Sequence, residues 1–194
     1  IWNPDTGTYY AWADPELVKD HLQAKRERAS NYTRSAFYEF ERDWSEDEST
    51  LPCLHARIAF RNTTRATDTR TVRSTLVPPK VAITNAAPYF LWPRGDNADE
   101  AYLLGVLSSI PLDWYARRFV EISLNYHVLT PFPVPRPSRV NPLWKQTVEL
   151  AGRLACPDER FARWAQAVGV DYGPLEPDEK SQKIHELDAV VAHL

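Results

Sequence analysis

The spacing of apolar residues divides the chain into a helical start, a strand-rich middle and a helical end. Asp14, Pro15 and Glu16 have the N-cap, first-position and first-turn chemistry of a helix, which we predict to run to about residue 28. From Leu54 the apolar period changes to two, which is typical of half-buried strands. The predicted strands cover residues 55–61, 72–77, 80–85, 88–92 and 123–129.

The rest of the pattern is helical. Asp99 and Glu100 open a helix that Pro111 ends, so that a second helix follows and the two form a helical hairpin. The segment 131–137 carries four prolines in seven residues, and we expect it to be extended and to mark a boundary. Three helices follow, the second of them capped by Asp158 and stopped by Gly169.

This order of elements predicts an α+β fold with a mixed β-sheet domain and a helical hairpin. An N-terminal helix and a C-terminal helical extension flank that domain. The predicted divisions are a lead-in (residues 1–50), the α+β domain (residues 51–138) and the extension (residues 139–194). Within the lead-in, we interpret the acidic stretch 45–50 as a solvated loop.

Charge is distributed unevenly along the 194 residues. The net charge is −3, but residues 57–80 carry six Lys or Arg against one Asp, which makes that segment +5. The rest of the chain therefore sums to −8. A concentrated basic segment on a mildly acidic protein indicates a local site for an anionic partner.

The two cysteines, Cys53 and Cys156, lie about a hundred positions apart, which argues against a zinc ribbon or a CxxC redox site. No apolar run approaches the ~20 residues needed to cross a bilayer, and no signal segment opens the chain. We expect a reducing, cytoplasmic location and no membrane partner. The chain starts abruptly without a Met, and we interpret it as a fragment of a longer protein.

Enzyme signatures are scarce. The chain has no GxGxxG, P-loop, HExxH or G-x-S-x-G motif, and its five histidines do not have metal-ligand spacing. Cys53 and His55 would share a face of a strand and could form a nucleophile pair, but nothing in the sequence orients them. We predict no catalytic residue and no metal site.

The segment from Arg57 to Arg73 carries the strongest candidate chemistry. Arginine suits phosphates and the O6/N7 edge of guanine, Asn suits adenine, and hydroxyl groups suit phosphate oxygens. Asp68 could accept from cytosine, although we favour a role in holding the shape of the loop through Arg65 or Arg70. The loop residues that we expect to contact nucleic acid are Asn62, Thr64, Arg65, Thr67, Asp68, Thr69, Arg70 and Thr71. The alternative is a solvated hairpin loop without a role in binding.

A second candidate is the segment 124–127, just before the proline-rich stretch. Asn125 and His127 are polar side chains that could reach a nucleic acid. The alternative, which the residues alone leave open, is a turn that satisfies its own backbone groups.

Several motifs in order along the chain resemble the C-terminal region of large adenine-specific DNA methyltransferases of the type IIG restriction–modification and phage-defence families. These motifs are Trp12-Ala-Asp-Pro15, Arg57-Ile-Ala-Phe-Arg61, Thr67-Asp-Thr-Arg-Thr71, Val77-Pro-Pro79, Tyr102-Leu-Leu-Gly-Val-Leu-Ser-Ser109, Asp113-Trp-Tyr-Ala-Arg117, Leu129-Thr-Pro-Phe-Pro-Val-Pro135 and Glu186-Leu-Asp-Ala-Val-Val-Ala-His-Leu194. The resemblance covers most of the chain.

What the resemblance implies is a target-recognition domain, whose partners are double-stranded DNA and the methyltransferase domain of the parent protein. The parent would bind S-adenosylmethionine in a catalytic domain that this chain lacks, and we expect no cofactor in the chain itself. The Asn-Pro-Pro-aromatic motif of adenine N6 transfer is missing, because Val77-Pro-Pro79 lacks both the Asn and the aromatic residue. On this hypothesis Arg65 and Arg70 read bases, whereas Arg57, Arg61 and Arg73 hold phosphates.

Two alternatives belong to other classes of protein. In the first, the chain is a protein-interaction module that docks subunits through acidic and aromatic surfaces and makes no direct DNA contact. In the second, weaker alternative it is a hydrolase that uses Cys53 or a histidine.

Overall fold

The computed structural model describes residues 13–92 and 94–194, so Trp12 of the first motif lies outside the described residues. Within these ranges the chain forms helices around a small antiparallel sheet, which confirms the α+β class. The helices are α1 (Pro15–Ser30), α2 (Arg42–Glu46), α3 (Asn97–Ser108), α4 (Ile110–Ala116), α5 (Tyr126–Leu129), α6 (Pro142–Ala155), α7 (Ala162–Val168) and α8 (Pro177–Ala192). The strands are β1 (Arg57–Phe60) and β2 (Ser74–Val77).

The sheet pairs β1 with β2 in an antiparallel register that places Arg57 opposite Val77 and Phe60 opposite Ser74. On the other edge of β1, Phe60 N–H donates to the carbonyl of Pro88 at 2.9 Å, and Phe90 N–H donates to the carbonyl of Ile58 at 2.9 Å. The segment 88–90 therefore covers that edge. All four β1 residues are buried, so the predicted half-buried strand is in fact enclosed on both faces.

Three of the predicted strands are wrong. Residues 88–92 make only an isolated bridge, between Tyr89 and Ala59. Residues 80–85 form no strand, because Pro78 and Pro79 are followed by Lys80 in the left-handed region (φ 62°), which turns the chain away from β2. In 123–129, Ser123 makes a single bridge to Thr63, and α5 then begins because the side chain of Asn125 accepts the N–H of Val128.

The two helices predicted for the hairpin are present as α3 and α4, and Ser109 serves as the last cap of α3 and the first cap of α4. The predicted caps are also present: Asp14 accepts the N–H groups of Glu16 and Leu17, Asp158 accepts that of Arg160, and Gly169 ends α7 with φ 84°.

The extension packs directly onto α3. A Cβ added at Gly105 would lie 2.8 Å from Thr147 Cγ2 and 3.0 Å from Ala151 Cβ, so α3 and α6 make a close approach that requires Gly105. Buried residues from Ile58 to Val191 belong to one apolar cluster, which continues across the proline-rich segment. The domain divisions stay a prediction.

The acidic stretch 45–50 is exposed at residues 46–49, as predicted, but it is not a free loop. It forms the end of α2 and a 3-10 turn, and α1 holds it in place. The Gln23 amide donates to the carbonyls of Ser45 (3.1 Å) and Glu46 (3.0 Å), and the buried Arg26 guanidinium donates to the carbonyl of Asp47 at 2.7 Å. No helix in the described part of the chain has the length and apolar character of a membrane span.

Candidate nucleic-acid interface

The loop between the two strands is fixed at its C-terminal end by a buried carboxylate of α4. Asp113 Oδ1 accepts the backbone N–H groups of Thr71 at 2.7 Å and Val72 at 2.8 Å. Hydrogen bonds from two backbone amides to one carboxylate are charge-assisted and stronger than neutral ones. Asp113 therefore sets the point at which the loop enters β2.

Arg117, one helical turn after Asp113, holds the middle of the same loop. Its guanidinium donates to the carbonyls of Ala66 (2.7 Å), Asp68 (2.8 Å) and Thr69 (2.8 Å), and its Nε–H lies 3.0 Å from Asp113 Oδ2. Three backbone acceptors on one guanidinium define the curvature of residues 66–69. The backbone of this segment is therefore held in a defined shape, while the side chains of Thr67 and Thr69 are exposed to solvent.

Inside the loop, short side chains replace water as partners of the backbone. Thr64 Oγ1 donates to the carbonyl of Thr71 at 2.8 Å, and Thr71 Oγ1 donates to that of Arg65 at 3.2 Å. Asp68 accepts from the hydroxyl of Thr64 (3.3 Å) and the N–H of Arg65 (3.4 Å), and it pairs with Arg73 at 3.6 Å. Asp68 thus bonds within the loop as predicted, but its ionic partner is Arg73 and not the side chain of Arg65 or Arg70.

This burial corrects part of the predicted contact set. Thr64 and Thr71 are buried, so their hydroxyl groups bind the loop itself and do not face a ligand. The polar side chains that the loop leaves exposed are Arg61, Thr63, Arg65, Thr67 and Thr69. Among residues 13–92 and 94–194, no acidic oxygen lies within 4 Å of the guanidinium nitrogens of Arg61 or Arg65.

Arg57 does not hold a phosphate at the surface, contrary to our prediction. Its side chain is in the core with 5% of the residue exposed, and it donates to the carbonyls of Val81 (2.7 Å) and His55 (3.3 Å). The guanidinium lies 5.0 Å from the centre of the Tyr89 ring. Burial lowers the pKa of Arg57, and the nearby Tyr89 partly offsets this, so the residue is a structural cation of β1.

Arg70 and Arg73 are only partly available. Arg70 lies 3.7 Å from Asp188 of α8, and its side chain is 20% exposed. Arg73 is 22% exposed, donates to the carbonyl of Arg70 at 3.1 Å and pairs with Asp68. Of the two predicted base readers, Arg65 is therefore exposed and Arg70 is held by an acid.

The second predicted contact segment, which contains Asn125 and His127, forms the start of the short helix α5. The Asn125 side chain caps α5, and both Asn125 and His127 are exposed, so their contact with nucleic acid stays a prediction. Asn125 also lines a cleft of about 460 Å³ between α1 and the segment 83–89, and Asn62 lines the same cleft. The structure thus brings Asn62 and Asn125 together at one surface.

The proposed Cys53–His55 pair loses its geometric basis. Cys53 lies in a 3-10 turn (Pro52–Leu54) and not in a strand, so the two residues do not share a strand face. The His55 ring is engaged, with Nε2 2.7 Å from the carbonyl of Ser49. Cys156 is buried, and burial raises its pKa to about 12, as expected of an unreactive thiol.

Sequence reasoning missed the roles of Asp113 and Arg117, the two residues that shape the loop. Their spacing of four on a helix is a signal of a paired face, but it does not reveal contacts to a loop more than forty residues away. Both residues belong to one of the motifs that carry the family resemblance, which assigns neither of them a contact to the loop. Comparison of the chain with family models, curated proteins and solved structures finds no match.

Proposed function

We propose that this chain binds double-stranded DNA through loop 62–71 as the target-recognition part of an adenine-N6 DNA methyltransferase. The observation that carries the proposal is the fixed shape of the loop. Asp113 and Arg117 bind the backbone of the loop. Arg61, which precedes the loop, and Arg65, which lies within it, are exposed, and their guanidinium groups have no acidic partners in the described ranges.

A rigid loop suits the recognition of DNA because base reading requires side chains to be held in place before binding. Arg65 is the candidate base reader, since an unpaired guanidinium can donate two hydrogen bonds to guanine O6 and N7. Arg61, at the end of β1, is the candidate phosphate contact, and Thr67 and Thr69 offer hydroxyl groups to neighbouring phosphates. This set of DNA-contact residues is smaller than the set predicted from the sequence, because Arg57 is buried.

The methyltransferase part of the proposal rests on the family resemblance. The sequence contains no S-adenosylmethionine motif, so the cofactor and the transfer chemistry would belong to a separate domain of the same protein. The role of this chain would be to fix the register of the enzyme on DNA while the target adenine is flipped toward the catalytic domain. The chain alone would not methylate DNA, and the proposed location is the cytoplasm.

A direct test is competition binding with the full chain. We expect a labelled duplex to bind, and unlabelled duplexes of different sequence to displace it with different efficiencies. Poly-glutamate, an anion without bases or phosphates, should compete poorly. Equal displacement by poly-glutamate and by duplex at equal charge would contradict the proposal, because it would reduce the loop to a general anion site.

The docking alternative is favoured by a different observation. Leu17 in the first turn of α1, Tyr32 just after the end of α1, and Tyr38 in the following 3-10 turn are large side chains that are more than half exposed. Exposed apolar side chains of this size suit contact with another domain. These side chains lie on the N-terminal segment and not on loop 62–71, so docking to a methyltransferase domain and DNA binding are compatible.

A further inference from the structure

We infer that the corner formed by residues 119–122 inserts apolar side chains between base pairs of the bound duplex; the inference rests on the proposed function. Phe119 is 53% exposed and Ile122 is 65% exposed. The exposed parts of these two side chains have no packing role within the described residues. Their position next to the loop is what gives them a DNA-directed role.

The corner is joined to loop 62–71 by its backbone. Thr64 N–H donates to the carbonyl of Ile122 at 3.1 Å, and Leu124 N–H donates to that of Asn62 at 2.7 Å. Thr63 and Ser123 form the bridge between these bonds. The corner is therefore fixed to the loop, and Ile122 is bonded to Thr64, the residue that precedes Arg65.

The base of the corner is rigid. The Phe119 ring packs against Tyr115 (centroids 4.9 Å apart) and Phe132 (6.2 Å), and Phe132 is buried. A fixed ring whose outer half is exposed resembles the apolar wedges by which DNA-bending proteins unstack a base step. A wedge on a flexible loop would lose ordering entropy on insertion, which this packing avoids.

Charge favours DNA over a protein partner at this corner. Arg118 stacks on the exposed Trp114, 4.2 Å from the ring centre, and lies beside Phe119 in the chain. Arg61 and Arg65 are also exposed, and each is next in the chain to a residue that is bonded to this segment through the backbone, Asn62 and Thr64 respectively. The corner itself carries one exposed acid, Glu121. Apolar side chains surrounded by arginine fit a stacked, phosphate-lined ligand.

Insertion between base pairs untwists the duplex, so the test measures the linking number of DNA. A closed-circular plasmid is relaxed by a type I topoisomerase in the presence of the full chain, and the protein is then removed. We expect the wild type to leave a linking difference that grows with bound protein. Ile122→Ala and Phe119→Ala should lose most of it, whereas Val140→Ala, at a more exposed apolar residue outside the corner, should keep it.

The affinity for the same plasmid is measured as well, because it separates the insertion of the corner from the proposed binding of DNA by loop 62–71. Ile122→Ala should weaken binding by less than about tenfold, because the favourable burial of the apolar side chain and the unfavourable loss of base stacking on insertion largely cancel. Since Ile122 is exposed, its replacement does not threaten folding, and Phe119→Leu should retain part of the unwinding. Arg65-dependent binding without any linking difference would overturn the wedge alone. If Ile122→Ala unwinds the plasmid as much as the wild type does, the wedge alone is again overturned. If the chain does not bind the plasmid at all, both the wedge and the proposed DNA binding are overturned.

Discussion

Asp113 and Arg117 bind each other through Oδ2 and Nε at 3.0 Å, and each uses its remaining atoms to hold a different part of loop 62–71. Asp113 takes two amides at the end of the loop, and Arg117 takes three carbonyls at its middle. One turn of α4 thus determines the conformation of a ten-residue segment that contains the candidate base reader, Arg65.

Arg117→Ala should destabilise the protein, because a charged donor to three carbonyls is lost. About a third of the Arg117 side chain is exposed, and solvent screening reduces the expected loss to about 2–3 kcal/mol. Denaturant unfolding measures the loss, and hydrogen exchange should show faster exchange at Thr71 and Val72. The control Arg163→Ala removes an exposed arginine of α7 and should change stability by less than about 0.5 kcal/mol. Equal effects of the two variants would show that the loop does not depend on Arg117.

The sequence predicted the elements whose signals are local and missed those that depend on distant contacts. Asp14, Asp158 and Gly169 act as caps as predicted, because capping involves only neighbouring residues. The burial of Arg57 could not be predicted, since an alternating strand gives no sign that segment 88–90 will cover its second edge. The same limit applies to the candidate site, where the basic segment was visible but the ion pairs of Arg70 and Arg73 were not.

Gly105→Ala should be destabilising, because the new methyl group would meet Thr147 Cγ2 at 2.8 Å where α3 crosses α6. Overpacking of a tight core typically costs about 1–3 kcal/mol. Thr147→Ser removes that methyl group and keeps the hydroxyl that donates to the carbonyl of Leu143. In the double variant we expect part of the loss to be recovered, as measured by a double-mutant cycle; additive effects would argue against this contact.

Glu100 should make stability depend on pH. Burial raises its pKa from 4.5, and hydrogen bonds from Trp164, Asn97 and the backbone of Ile58 only partly oppose this. A carboxyl whose pKa is raised by folding favours the folded state when protonated, so its contribution is present below pH 4.5 and is lost as pH rises through the folded-state value. The stability of the wild type relative to Glu100→Gln should therefore fall as pH rises through this window. A difference that is constant with pH would contradict the assignment.

Asp188→Asn should release Arg70 for DNA. Asp188 Oδ2 lies 3.7 Å from the Arg70 guanidinium, while Oδ1 accepts the N–H of Ile110 at 2.7 Å, an interaction that the Asn oxygen can retain. If the freed Arg70 contacts a phosphate, the slope of log affinity against log salt should steepen by about one. An unchanged slope would place Arg70 away from the duplex.

The salt dependence of duplex binding by Arg65→Ala, Arg61→Ala and the charge-matched control Arg163→Ala tests the central claim most directly. Fluorescence anisotropy with the full chain gives the affinity for a labelled duplex over a series of salt concentrations. We predict that Arg61→Ala makes the log–log slope shallower by about one, that Arg65→Ala reduces the differences in affinity among duplex sequences, and that Arg163→Ala changes neither. Equal behaviour of all three variants would contradict the claim that loop 62–71 and its exposed arginines bind DNA.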